Sequence, residues 1–444
     1  MSQNKLKLFD LVSIGVGSII GAGIFSMLMM GLSMTGRSIA LALAFAMLVV
    51  FLQGIKSLFL SSMFALEGGM YAQQALILPP IFTGTTAITY VVSNMSMSVF
   101  GISIAQYLSQ LIPALAPYQT PLGILIVTLA FLLTYKGAGA LAKVQNLMAV
   151  CMYVALALFV FFGLKQGGTA EVMAAPYFAA GPMGFLMATA IMSFACNGGV
   201  NIMNLAGSAE NPRRNIPLAF LLAEVICTVI YFLLGHVAGS VVPMGEAATS
   251  TMGTVAQQVM PHGFYVFFVV GGAIFALATS LLGGLASMSA PIVAGAEDGW
   301  LPAVLAKRGK NGSPYAALLL MYAITVIPVI GKFSLDSIVS FILVPGMFVN
   351  VVSLILCFKI PKKFPKEWDN CALKCPYWFY CLLIVLSMAA SLITAIFSMM
   401  SQTMAGIIGN IAMTVFLFGF SYWRLKSGKV ELKSIQSVTR GDGE

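Results

Sequence analysis

Charge is what this chain lacks. Only 8% of its 444 residues are Asp, Glu, Lys or Arg, and there are two histidines; a soluble domain carries about 25% charged residues. So few charges cannot cover the water-facing surface of 444 residues, so a soluble globular protein is excluded. Acidic residues and histidine form no constellation within the apolar segments, which leaves a membrane enzyme without support, and none is expected. There is no Gly-x-x-x-x-Gly-Lys-Ser/Thr, so the chain has no phosphate cradle for ATP-driven work. Long loops are also missing. The longest connections, 165–182, 243–262, 297–313 and 359–375, leave no room for a soluble domain.

Apolar sequence fills the space instead, at 59% of the chain. Hydrophobic segments run over 8–33, 38–64, 84–112, 121–135, 144–164, 183–206, 216–242, 263–294, 314–331, 336–358, 376–399 and 404–424. Each is read as one membrane crossing, which predicts an all-α protein of twelve transmembrane helices. The first segment begins near Phe9, after Lys5 and Lys7, with no small-residue cleavage site, and is read as a retained helix. Twelve crossings divide the loops between two sides. Of the 23 Lys and Arg residues, Arg37, Lys165 and Lys332 fall on one side, Lys56 inside a segment and all others on the second side. The positive-inside rule then places both termini in the cytoplasm, with the plasma membrane as the expected location. The same distribution removes a nucleic-acid partner as the meaning of the +9 net charge. The expected partners are the bilayer and a small molecule. The seven cysteines lie in segments or on the basic side, where disulfides are rare.

Two segments are apolar enough to cross a membrane yet carry glycine clusters at their centres. Residues 15–25 read Gly-Val-Gly-Ser-Ile-Ile-Gly-Ala-Gly-Ile-Phe, and residues 194–199 read Phe-Ala-Cys-Asn-Gly-Gly. Each helical glycine costs about 1 kcal/mol against alanine, and in lipid every freed backbone group needs a partner. Such clusters serve either close helix packing or a helix break whose bare N–H and C=O groups face a ligand. The clusters sit in the first and sixth segments, the corresponding members of two five-helix halves, 8–164 and 183–358. Paired interruptions in corresponding segments point to a midplane binding site between inverted repeats. Segments 376–424 and a cytoplasmic tail, 425–444, follow.

Four stretches, the first within the glycine cluster at 15–25, carry a resemblance. Gly21-Ala22-Gly23-Ile24-Phe25 resembles the Gly-Ser-Gly-Ile-Phe signature of amino acid–polyamine–organocation (APC) permeases. Glu210-Asn211-Pro212-Arg213-Arg214-Asn215-Ile216-Pro217 is similar to the family's Lys-Asn-Pro-x-Arg-Asn-Ile-Pro loop. Ala296-Glu297-Asp298-Gly299-Trp300-Leu301-Pro302 resembles its Ala-x-Asp-Gly-x-Leu-Pro, and Gly68-Gly69-Met70-Tyr71 its Gly-Gly-Glu-Tyr. The resemblance implies a leucine-transporter-type 5+5 inverted repeat with broken helices 1 and 6, working by alternating access. It implies a substrate carboxylate on the backbone N–H groups of Ala22 and Gly23, beside Gly21, where a half-helix begins. A substrate ammonium would meet carbonyls near Ile19, Phe194 and Asn197. Phe194 falls where related exchangers carry an aromatic gate, or it is ordinary packing. Ser93 and Asn94 in the third segment, with Asn197, Gly198 and Asn201 in the sixth, line the site in this family, or they bridge helices as buried polar groups must.

The chain also departs from the pattern. Many members carry a lysine early in the fifth helix, standing in for a sodium ion; Met152 takes that place. The family's Tyr-Ala-Glu-Leu stretch is replaced by Ser57-Leu58-Phe59-Leu60. In sodium-coupled relatives of this fold, a Thr/Ser pair in helix 8 binds the ion with helix 1 carbonyls. Here those ligands would be Thr279, Ser280, Ala276, Gly17 and Ile20, unless both hydroxyls bond back to their own helix. No other cofactor is expected.

Two charges lie deep in segments, Lys56 and Glu224, roughly 15 and 10 Å from the cytoplasmic ends of their helices at 1.5 Å per residue. Opposite sign and similar depth predict an ion pair. The reading as a whole is a secondary transporter for a neutral amino acid or close derivative, the neutral class resting on the absence of an ionised residue among the predicted site residues. The alternatives are an exchanger or facilitator for another small amine or organic solute, or a non-transporting sensor or channel with the same fold.

Overall fold

The computed structural model describes residues 5–436, apart from 22, 67, 136–137, 310–311, 334–337, 339–345, 347–348 and 401. Among these residues the chain is helical, and its only β contact is an isolated bridge between Leu6 and Ala209. In a bilayer core the helix satisfies its own backbone groups, which accounts for a chain built of little else.

Nine helical stretches of the described residues are long and apolar enough to cross a membrane. The longest, Leu8–Met63, has 56 residues. At 1.5 Å per residue that is about 84 Å, more than twice the roughly 30 Å hydrocarbon core. It is interrupted at Gly36, whose φ of +66° only glycine adopts readily, and it continues as Ile39–Met63. The helices fall on the predicted apolar segments. Much of the first part of 336–358 lies outside the described residues, although 349–357 is helical.

Local sequence explains the helix ends. Pro80 and Pro212 open helices at positions where an N–H would have no partner. Thr251 and Thr403 cap helices through their side-chain oxygens. The motif residues meet as well: Tyr71 donates to Asp298 Oδ2 at 2.7 Å, and Ser434 N–H donates to Asp298 Oδ1 at 2.7 Å.

Burial separates two classes of helix. Gln119–Tyr135, Tyr377–Met400 and Met404–Lys426 expose large apolar side chains, among them Leu125, Leu129, Val385, Ile396, Ile411 and Val415, as a lipid-facing surface would. The glycine-bearing segments 8–35 and 181–208, with Ile39–Met63, Pro212–Val241 and Phe275–Glu297, form the interior. Large apolar groups therefore face outward on the rim. The two glycine clusters lie at the centre, where only small residues let backbones approach.

Candidate functional site

Both glycine clusters are breaks. The first helix, Leu8–Ile19, ends in an extended Ile20 (φ −76°, ψ 93°). Helical structure resumes at Gly23 as a π-turn, Gly23–Met27, followed by Leu28–Thr35. The second, Gly181–Cys196, ends in an extended Asn197 (φ −76°, ψ 144°). Gly198 turns the chain with φ +143° into a 3₁₀ run, Gly199–Ser208.

The breaks touch each other and form part of the wall of a cavity of about 330 Å³. A side chain at Gly23 would strike the Ala195 backbone, and one at Gly198 would strike the carbonyl of Ser18. Of the predicted site residues, Ile19, Gly21, Gly23, Ser93, Phe194, Asn197, Gly198 and Asn201 line the cavity. Ala22 lies outside the described residues. Asn94 is turned away: it is fully buried, its amide donates to Tyr90 O at 2.7 Å, and its own carbonyl accepts from Thr325 at 3.1 Å. The Asn94 side chain thus bonds back to its own helix, and only its backbone carbonyl meets the neighbouring helix.

A helix starting at Gly23, which lines the cavity, leaves its first N–H groups without partners in its own helix, at the positive end of its dipole. Such a terminus suits a carboxylate. The carbonyl ends on the opposing half-helices are partly engaged. Tyr231, fully buried on Pro212–Val241, donates to Ile19 O at 2.6 Å and to Ala195 O at 3.1 Å. One hydroxyl thus ties the last turns of both broken helices. Each carbonyl keeps a second lone pair for an ammonium. Sequence reasoning missed Tyr231, yet a signal existed: Phe220, Glu224, Cys227 and Tyr231 recur at helical spacing and form one buried stripe facing the breaks.

Beside the first break, Ser280 Oγ donates to Gly17 O at 2.9 Å and Ile20 O at 3.2 Å. Thr279 Oγ1 donates to Ala276 O at 2.9 Å, back onto its own helix. Gln145 of the fifth helix reaches the same place, donating to Thr279 O at 3.3 Å. Three of the five predicted oxygen donors, those of Gly17, Ile20 and Ser280, therefore meet here, while Thr279 and Ala276 bond to each other on the adjoining turn; hard oxygen ligands are what a small hard cation takes. Met152 is fully buried.

Lys56 and Glu224 do not pair. Among the described residues the ion pairs are Lys374–Asp369 and Lys433–Glu431, both exposed. Lys56 Nζ donates to Asn350 Oδ1 at 2.6 Å, in the cavity wall. Glu224 instead faces the second break, 2.6 Å from where a Cβ on Gly199 would stand. The reason is rotation. Gly54, two residues before Lys56, is the residue packed on Phe220 of the glutamate's helix, and two residues turn a helix by about 200°. Depth matched while facing did not.

The sequence has parallels in known proteins. A family model for amino acid permeases matches residues 6–421. The vacuolar cationic amino acid transporter 4 of Arabidopsis thaliana is 26% identical over 320 residues, 67% of this chain and 53% of that protein. The branched-chain amino acid permease BcaP of Bacillus subtilis (strain 168) is 22% identical over 344 residues, 71% of this chain and 72% of the permease. The methylthioribose transporter of the same bacterium is 23% identical over 322 residues, 68% of this chain and 69% of that protein. The chain thus spans only about half the length of the plant transporter it matches. The match over nearly the whole chain settles the family: the protein is a multi-pass membrane protein that belongs to the amino acid permeases of the APC superfamily.

Proposed function

We propose that the chain is a secondary transporter that carries a small α-amino acid through the cavity between the two breaks, by alternating access. The observation that carries this reading is the reciprocal contact of the breaks, Gly23 on Ala195 and Gly198 on Ser18, around one cavity. Helix ends of both signs meet there, N–H groups at Gly23 and the Ile19 and Ala195 carbonyls, each with one lone pair beyond the Tyr231 bond, as an α-carboxylate and an α-ammonium require. Relatives named as amino acid transporters support the same substrate class. The reading takes the architecture as twelve crossings in two inverted five-helix halves, 8–164 and 183–358, with 376–424 outside the repeat. It sets the protein in the plasma membrane with both termini cytoplasmic. Phe194, in the cavity wall, is the candidate gate over the bound substrate. The ground for a neutral substrate side chain was a site without ionised residues. Lys56 in the wall removes that ground, and it also disfavours a cationic side chain.

A sodium ion is the candidate coupling ion at Gly17, Ile20, Ala276, Thr279 and Ser280, whose oxygens lie at hydrogen-bond separations in two sets, Ser280 with Gly17 and Ile20, and Thr279 with Ala276. Binding would require the Ser280 hydroxyl to turn its hydrogen away from the carbonyls it now donates to.

The test is uptake of labelled amino acids into proteoliposomes containing the full chain. Saturable uptake that an opposing internal amino acid stimulates is expected; flux linear in concentration points to a channel, and no flux with intact binding to a sensor. Uptake should rise in sodium over choline at fixed pH, and Thr279→Val should abolish that rise. Equal uptake in both salts removes the sodium reading and leaves a facilitator or exchanger.

A further inference from the structure

We infer that Lys56 is an anion subsite of the transport cavity, so that the cargo is an amino acid bearing a second acid group on its side chain. This rests on the transporter reading above and names its substrate class.

Lys56 is 4% exposed and lines the cavity. Its ammonium has three donors. One is directed to Asn350 Oδ1 at 2.6 Å, and among the described residues no carboxylate lies within 4.0 Å of it. Asn350 is itself oriented: its amide donates to Ser391 Oγ at 3.1 Å, which turns the carbonyl oxygen towards the lysine. One turn away Gln53, also in the wall, donates to Thr394 Oγ1 at 3.3 Å. Among the described residues the ammonium is therefore held by a neutral group, the Asn350 amide. A cation buried at membrane depth without a counter-charge is expensive. Among the described residues none supplies that charge, and a carboxylate entering the cavity from outside the protein would.

The position of Lys56 fits cargo rather than a distant vestibule. Gly54 packs against Val200, two residues past the Gly198 turn. Lys56 therefore lies about 3 Å along its helix from the level of the second break. The same cavity already presents the helix terminus at Gly23 to one carboxylate. An amino acid with a neutral side chain satisfies that terminus and leaves Lys56 uncompensated. An acidic amino acid satisfies both. A cationic side chain would add like charge beside Lys56.

The experiment compares isosteric pairs on the purified full-length protein in lipid nanodiscs: L-glutamate against L-glutamine, and L-aspartate against L-asparagine. Binding is read by thermal shift and by competition with the labelled acid. The acidic member of a pair should bind at least about tenfold more tightly, the scale of a hydrogen bond to a charged group. Lys56→Gln should bring that preference to unity without weakening the amide, and Lys56→Arg should retain part of it. Wild-type protein that binds the amide as well as the acid overturns the subsite, with the transporter reading intact. A folded Lys56→Gln protein that keeps the acid preference overturns the assignment to Lys56. Binding of none of the four amino acids, nor of any other, overturns the transporter reading instead. The wild-type comparison stands even where Lys56→Gln fails to fold.

Discussion

At the second break the backbone itself is bent out of reach of ordinary residues, whereas at the first it is only crowded. Gly198 holds φ +143°, while neither Gly21 nor Gly23 has a positive φ. What Gly23 needs is space, because the Ala195 backbone occupies the position of its missing Cβ. Gly198 needs both, since its missing Cβ would also meet Ser18. Each break therefore fills the volume that a side chain on the other would require. Glycine has two separable roles here, conformation and approach, and substitution can tell them apart.

The largest effect is expected at Gly198. Gly198→Ala forces an L-residue into a conformation that costs about 1–3 kcal/mol. It also drives a methyl group into a backbone carbonyl, an overpacking cost of about 1–3 kcal/mol more. The melting temperature should fall sharply and substrate binding should vanish; an unchanged melt would show that the turn relaxes freely. Gly23→Ala carries the overpacking cost alone. Its stability loss should be smaller, but binding should fall further than stability does, because the insertion wedges the breaks apart at the cavity. Adding Ala195→Gly should not restore binding, since the obstructing atom is the Ala195 Cα.

Tyr231→Phe comes next. It leaves the contact between the breaks but removes the hydroxyl shared by Ile19 O and Ala195 O. Leaving buried carbonyls without their donor costs about 1–3 kcal/mol. Melting temperature and affinity should both drop; if calorimetry and ligand titration match wild type, the bridge is incidental. Phe194→Ala tests a feature that the second break alone has, an aromatic side chain at the cavity wall beside the turn. Substrate should dissociate several-fold faster, with little change in stability because Phe194 is only half-buried. Wild-type dissociation would make it packing.

Much of this was legible in the sequence because lipid removes alternatives. With water absent, glycine clusters inside apolar segments had few uses, and both proved to be breaks. Segment boundaries followed from hydropathy for the same reason. What the sequence concealed were facings. Asn94 and Ser93 are adjacent in a polar run, yet one lies in the core and the other in the cavity wall. Lys56 and Glu224 share depth but not direction, a difference set by a rotation of about 200° that hydropathy cannot register. The buried stripe of Phe220, Glu224, Cys227 and Tyr231 marks the facing of Tyr231, but its partners are backbone carbonyls, which no residue pattern names. The Ser280 contacts with Gly17 and Ile20 were found only through the resemblance, since a serine in an apolar helix more often bonds its own preceding turn.

The smallest effect is expected within the glycine motif itself, and its sign is opposite. Gly17 lies in the first helix two residues before its end. A Cβ there meets nothing within 4 Å, and its φ is not positive. Neither conformation nor approach requires glycine at that position. Gly17→Ala should therefore remove only the entropic penalty of a helical glycine and stabilise the protein by about 0.5–1 kcal/mol. Its carbonyl, which accepts from Ser280 at 2.9 Å, is retained by the substitution. Affinity should stay at the wild-type value and the melting temperature should rise slightly. A loss comparable to that of Gly23→Ala would mean that the four glycines from Gly15 to Gly23 act as one flexible unit, and the distinction between conformation and approach would collapse.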